Sequence, residues 1–329
     1  MMNKIYITLI TLFIFQVGYT QDYAPAAGLP GSTAIKYDSS VFVAWATGID
    51  LSRGYINIEN PSASYNGFNY ASYGEPEDAL GPASGNSTDG VVSLGDSGVA
   101  ILTFKHPIIN GDGWDFAIFE NSVTDDFLEL AFVEVSSDGV HFVRFPNHSK
   151  TQTTTPIGSF GSIEATDIHN LAGKYRVGFG TPFDLEDLKD SVLIDIQNIT
   201  HIKIIDVVGT LGNKGGVDSY GNKINDPFPT AFHSGGFDLA GVGVIHHNPN
   251  VTSLENLSYH FIRIYPNPTT SYITIEVQNE MEITLKDILG ATVLSQTIHA
   301  GSNKLSLESF GSGIYFLRTQ GETIKLIKE

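Results

Sequence analysis

After the first twenty positions, the apolar residues of this chain fall in short runs, and clusters of Gly, Pro, Asn and Asp separate them. Residues 41–47 form one such run, and 99–104 alternate weakly. Residues 115–120 read Asp-Phe-Ala-Ile-Phe-Glu, and 130–136 read Leu-Ala-Phe-Val-Glu-Val-Ser. A further run at 140–145 follows the turn Ser137-Asp138-Gly139, which predicts a hairpin. Residues 201–208 and 239–245 complete the set. Runs this short suit strands, and the clusters between them suit turns. Only 182–191 reads as a short helix. With 34 Gly, 14 Pro, 20 Phe, 14 Tyr and only 16% charged residues, the composition favours short strands over long helices. An antiparallel β-sandwich or jelly roll is the simplest way to bury such runs.

The 329 residues suit two domains. Residues 1–20 read as a signal peptide: Asn3 and Lys4 start it, 5–15 are apolar apart from Thr8 and Thr11, and Gly18 and Thr20 are placed for cleavage before Gln21. Eleven apolar residues are too few to span a bilayer, which takes about 20. No other segment is long and apolar enough to be a transmembrane helix. Residues 21–247 read as one β-sandwich cargo domain, 248–261 as a linker and 262–329 as a second unit.

The chain has 36 acidic and 18 basic residues, and the whole excess lies between residues 22 and 260. Such a surface repels nucleic acid and anionic lipid. It suits either solubility outside the cell or cations, above all calcium. Cysteine is absent, which excludes disulfides, thiolate metal sites and cysteine nucleophiles.

In the last 68 residues, strands are predicted at 273–277, 283–290, 293–298, 304–307 and 314–317. Together they make a small Ig-like β-sandwich near the lower size limit for independent stability. In Tyr265-Pro266-Asn267-Pro268 the two prolines fix φ and remove donors, giving a rigid opening, while Gly290 and Gly313 supply turns. With Asp287-Ile-Leu-Gly290, the run from Gly311 through Gly313, Tyr315 and Leu317, and a close at 323–328 that includes Lys325, this unit resembles the type A C-terminal sorting domain of the type IX secretion system. Ser271 stands where that family often has Gly. The resemblance implies passage through the periplasm, recognition by the type IX machinery at the outer membrane, and a secreted or cell-surface destination.

In the cargo, Ala79-Leu-Gly-Pro-Ala-Ser-Gly85, Val92-Ser-Leu-Gly-Asp-Ser-Gly98 and Phe237-Asp-Leu-Ala-Gly-Val-Gly-Val244 resemble discoidin-like and galactose-binding-like sandwiches. The same run resembles bacterial proteins known only as cell-surface proteins, a description that supplies no activity.

Two acidic sets are calcium candidates. Asp218-Ser-Tyr-Gly-Asn222-Lys-Ile-Asn-Asp226 resembles the loops of secreted calcium repeats, with oxygen donors around a flexible Gly, although Tyr220 and Lys223 depart from that pattern. It is either a structural calcium site or a turn. Glu75, Asp78 and Asp238 are the second set, because galactose-binding-like folds often hold a structural calcium where the opening loop meets the last strand.

Trp114, on a glycine loop, either stacks on a flat ligand such as a sugar or closes the core, and with Glu120 and Asn121 it forms the candidate ligand-binding set. Gly95-Asp96-Ser97-Gly98 has the letters of a serine-nucleophile loop but lacks the accompanying motifs, and a turn explains it. His246 and His247 are adjacent, so on a strand they point to opposite faces. A glycosidase pair drawn from Glu120, Glu129 and Glu134 stays open, because such partnership is spatial. Three readings of the cargo follow: a non-catalytic binding protein for a glycan or other small molecule, a glycan hydrolase with a carboxylate pair, or a structural or adhesive surface protein.

Overall fold

A computed structural model describes residues 23–251, 262–277, 280–288, 290–319 and 323–329. The expected signal peptide and most of the expected linker lie outside the described residues.

Thirteen strands belong to residues 23–251. They are β1 (Ile35–Lys36), β2 (Ala44–Trp45), β3 (Gly48–Ser52), β4 (Val92–Ser93), β5 (Val99–Ile108), β6 (Phe116–Glu120), β7 (Ala131–Ser136), β8 (Val143–Arg144), β9 (His148–Ser149), β10 (Ile168–His169), β11 (Phe179–Phe183), β12 (Ile199–Asp206) and β13 (Asp238–Val244). One sheet runs β1-β11-β6-β13-β2, with β4 also paired to β13. A second runs β3-β5-β12-β7-β8, and β9 pairs with β10 apart from both. Every pairing in both is antiparallel.

The two sheets face each other across one core. Phe116, Ile118, Phe183, Val242 and Val244 come from the first, and Leu102, Phe104, Val133, Val135, Ile202 and Ile204 from the second. The alternation expected at 99–104 is therefore the inward face of β5, where Ala100, Leu102 and Phe104 are buried. β6 and β13 are buried at every position, which explains why their sequences are continuous apolar runs. The fold is all-β, a sandwich as expected.

The hairpin at Ser137-Asp138-Gly139 forms, with Glu134 opposite Arg144 and Val135 opposite Val143. Its outgoing strand is shorter than 140–145, because Asp138 Oδ1 accepts from the Val140 and His141 amides at 2.8 Å and extends the turn. The helix expected at 182–191 reduces to one 3-10 turn, Leu185–Leu188, capped by the Asp184 side chain. Pro182 and Phe183 instead finish β11, because burying Phe183 against Phe116 outweighs local helix preference. The chain's other 3-10 turns among the described residues are Pro76–Ala79 and Ala165–Asp167.

Among the described residues the C-terminal unit has seven strands: β14 (Ile262–Tyr265), β15 (Tyr272–Val277), β16 (Met281–Lys286), β17 (Thr292–Ile298), β18 (Gly301–Ser306), β19 (Gly313–Arg318) and β20 (Thr323–Lys328). They form a three-stranded sheet, β14-β15-β18, and a four-stranded sheet, β17-β16-β19-β20. Ile273 and Ile275 of the first sheet bury against Ile283, Leu285, Leu317 and Leu326 of the second. The strands expected from alternation are all present, each shifted by no more than a few residues.

The opening motif clamps the closing strand. The Tyr265–Pro266 and Asn267–Pro268 bonds are cis. Asn267 Nδ2 donates to the Lys325 carbonyl at 2.7 Å, and the Ile327 amide donates to Asn267 Oδ1 at 2.9 Å. Tyr265 Oη donates to Glu276 Oε1 at 2.5 Å, and Tyr315 Oη to the Gly311 carbonyl at 2.9 Å. Gly290 has φ of 81°, closing the turn that Asp287 begins. Gly313 opens β19 opposite Lys328. Among the described residues no helix is long and apolar enough to cross a membrane.

Candidate functional site

The antiparallel register collects acids at one end of the cargo sandwich. β6 ends on Glu120 and β12 ends on Asp206, while the neighbouring β13 begins on Asp238 and β7 follows directly from Glu129 and Leu130. Asp96, just before β5, and Asp226 join them. All six are buried.

Three of these acids serve loop structure. Asp206 Oδ1 accepts from the Phe237 amide at 2.7 Å and Oδ2 from the Ser97 amide at 3.0 Å. Gly236, with φ of 73°, makes that approach feasible, since a Cβ there would sit 2.7 Å from Asp206 Oδ1. Asp96 Oδ2 accepts from the Ile58 amide at 2.7 Å, and Asp226 Oδ1 from the Leu130 amide at 3.2 Å. Burial pushes the Asp96 carboxyl up to about 6 and holds Asp206 and Asp226 well above the usual carboxylate range.

The other three border a cavity of about 250 Å³. Glu129 and Asp238 line it with Asn121 and Ser122, and Phe127, Phe160 and Phe232 line it with them. Glu120 lies beside it, accepting the Ser122 amide on Oε2 at 2.7 Å. Asp238 is held by Ser93 Oγ on one oxygen and by Asn121 Nδ2 on the other, the latter at 3.1 Å. Burial raises Glu120 to about 8 and Asp238 to about 7. Glu129 rises well above its ordinary value through burial and then through the charges of Asp238 and Glu120. Phe160 is 75% exposed. Its ring centre is 6.1 Å from that of Phe127 and 5.8 Å from that of Phe232, so the three form an arc.

The expected ligand-binding set does not come together. β6 ends on Glu120 and Asn121 follows it, whereas Trp114 precedes its start. Seven residues of extended chain separate Trp114 from Asn121, roughly 20 Å at the strand rise. Trp114 stands at the opposite end of the sandwich, beside Asp115, which accepts from the Gly111 and Leu185 amides and pairs with His246 at 2.8 Å. Glu134 is also apart from Glu120. It lies on the other sheet and is held by Arg144 and Lys203 at 2.8 and 2.7 Å, which keep its carboxyl below the usual range despite the opposing effect of burial.

In the Asp218 loop, both carboxylate oxygens already accept N–H groups. Oδ1 takes the Tyr220 and Asn222 amides at 2.9 and 2.8 Å, and Oδ2 takes the Ser149 amide and Asn222 Nδ2, each at 3.0 Å. Asn222 thus points a donor, not its oxygen, at Asp218. In the second set, Asp78 Oδ2 caps its own turn by accepting the Glu75 amide at 2.8 Å. Glu75 and Asp238 both act on Arg53, so a guanidinium supplies positive charge there. Among the described residues no three acidic or imidazole groups form a set that could hold a metal ion. Gly95–Gly98 is a turn, closed by the Gly98 amide on the Gly95 carbonyl at 2.7 Å.

Sequence reasoning reached Glu120, Asn121, Asp226 and Asp238 and named Glu129 only as one of three unranked acids. It missed Asp206, Ser122 and the three phenylalanines. A signal for one acid was present: the run at 115–120 is apolar and ends on Glu120, which the antiparallel register sets opposite the start of β13.

No curated protein matches the chain. Among solved structures, the BSP domain of a biofilm-associated protein is 11% identical, with a TM-score of 0.18, covering 70% of this chain and 48% of that one. A Parabacteroides merdae beta-glucuronidase is 11% identical, with a TM-score of 0.21, covering 93% and 36%. A Faecalibacterium prausnitzii beta-glucuronidase is 13% identical, with a TM-score of 0.19, covering 89% and 45%. The chain spans less than half the length of each, and likeness this distant carries no functional argument. The C-terminal unit is different. Residues 263–329, which carry the Asn267 clamp described above, match the family of the secretion system C-terminal sorting domain. Those residues are a sorting domain of the type IX secretion system, and the chain is exported cargo bound for the cell surface or the medium.

Proposed function

We propose that residues 23–251 are a non-catalytic binding module that captures a glycan or another small molecule outside the cell, in the cavity at the acidic end. The observation that carries this reading is the arc of Phe127, Phe160 and Phe232 over a cavity lined by Glu129, Asp238 and Asn121. Exposed rings offer flat apolar faces, and the carboxylates and amide beneath offer directional acceptors and donors, the usual division of labour in small-ligand sites. A glycan array, together with thermal shifts against a metabolite panel, tests it. Ligands should raise the melting temperature of the wild type and do so less for Phe160→Ala. Silence across both screens would overturn it.

One observation favours a second reading, a glycan hydrolase. Glu129 and Asp238 line the same cavity, and both carboxyls are raised, as a general acid requires. Hydrolysis of a polysaccharide that disappears in Glu129→Gln would establish that reading. Activity surviving the substitution would remove it.

A further inference from the structure

We propose that the cavity takes a small organic cation, a ligand whose amine sits between Glu129 and Asp238 and whose body packs under the phenylalanine arc. This rests on the reading of the cavity as a ligand site and adds the charge of the ligand.

The cavity lining contains two carboxylates and no lysine, arginine or histidine. One guanidinium, that of Arg53, acts on Asp238, but its hydrogen bonds go to backbone carbonyls and it does not line the cavity. Arg53 donates to the Tyr73 carbonyl at 2.8 Å, to the Ser93 carbonyl at 3.0 Å and to the Gly74 carbonyl. Asp238, Glu120, Asp226 and Asp206 all act on Glu129 with a charge of its own sign. Buried carboxylates without a cation are costly, and proteins relieve them by protonation or by pairing.

A second, independent observation points to a missing partner. Ser122 is 3% exposed and lines the cavity, and its Oγ makes no hydrogen bond of ordinary geometry, although it lies near enough to Glu120 to act on that carboxyl. Buried polar atoms are rarely left alone in a finished site. An ammonium group carries three donors, and a hydroxyl-bearing ligand supplies an acceptor as well.

A bare metal ion fits less well, since only two carboxylates line the cavity and no three acidic groups converge. A neutral ligand would leave the like charges facing one another. An amine relieves them, and the aromatic rings above attract it further, because ring faces carry negative quadrupole density.

The test is calorimetric titration of the full chain with glucosamine and with glucose, which differ by one amine. Glucosamine should bind at least about tenfold more tightly than glucose. Its heat should vary with the ionisation enthalpy of the buffer, because the amine expels protons held by the raised carboxyls. Glu129→Gln should abolish the preference for glucosamine. Equal affinity for the two sugars would overturn the cation inference and leave the binding reading standing. Glucosamine binding untouched by both Glu129→Gln and Phe160→Ala would overturn both. No binding of either sugar would overturn the cation inference alone, since the glycan and metabolite screens judge the cavity independently. Phe160 is largely exposed and Glu129→Gln removes a like charge, so both variants should fold.

Discussion

Asn121 donates from Nδ2 to Asp238 Oδ2 at 3.1 Å, tying the residue that follows β6 to the first residue of β13. The same Nδ2 donates to the Ser87 carbonyl at 2.9 Å. One side chain therefore joins two neighbouring strands to the loop that borders the cavity. Asn121→Ala removes both bonds and leaves a buried carboxyl short of one donor. We expect a loss of about 1–3 kcal/mol in chemical denaturation. Ligand affinity should fall with it, because Asp238 would no longer be held in place. Unchanged stability would mean that Ser93 alone fixes Asp238.

Acidity should stabilise the cargo domain. Asp96, Asp238 and Glu120 have folded values of about 6, 7 and 8, against ordinary values of 3.8, 3.8 and 4.5. Between those limits the folded state holds protons that the unfolded chain has released. Stability therefore falls as pH rises, by about 1.4 kcal/mol per pH unit for each group inside its window. Melting of the full chain across the mildly acid to mildly alkaline range should show the temperature falling as pH rises. A flat or rising profile would show that these carboxyls ionise freely in the fold.

Glu129→Gln should be a stabilising substitution at the alkaline side of that range. Its carboxyl is raised by burial and by Asp238 and Glu120, so ionising it adds a like charge to a buried group. A neutral amide of the same shape avoids this, with a gain on the order of 1 kcal/mol. The difference should shrink as the pH falls, because the raised carboxyl of Glu129 takes up its proton before an ordinary carboxylate does. A variant that is less stable in alkaline buffer would show that the glutamate has a partner.

Much of the architecture was legible because burial and strand period leave marks on sequence. The alternating 273–277 and the continuous runs at β6 and β13 have one interpretation each once turns bracket them. The helix at 182–191 failed because Pro182 and Phe183 answer to Phe116, far away in the chain. The site was legible by residue type but not by grouping. Trp114, Glu120 and Asn121 are close in sequence, yet a strand carries them to opposite ends. Phe127, Phe160 and Phe232 are distant in sequence and meet only through the loops. Nothing in the spacing of Asp218 and Asn222 reveals that four N–H groups converge on one carboxylate.

The sorting domain should depend on Asn267. Its carboxamide receives the Ile327 amide and donates to the Lys325 carbonyl, joining the opening motif to β20. Asn267→Ala breaks both and should cost about 1–3 kcal/mol in the unfolding of this unit. Cells producing the variant should retain more protein in the periplasm, and deletion of residues 262–329 should retain all of it. Deleted protein that still reaches the medium or the surface would separate export from this domain.

Calcium gives the last test. An ion at the Asp218 loop needs lone pairs that now accept the Tyr220, Asn222 and Ser149 amides and the Asn222 side chain. These bonds hold the carboxyl below its ordinary value even though burial opposes them, so the charge there is satisfied without a metal. Asp226 is engaged with the Leu130 amide. A ligand bound only by the folded state stabilises by mass action, about 2.7 kcal/mol at a hundredfold excess over its dissociation constant. An ion that must first displace four donors gains little of this. We therefore expect superimposable melting curves in calcium and in chelator. A higher transition in calcium, lost in Asp218→Asn but kept in Asp78→Asn, would show that the loop rearranges to take the ion.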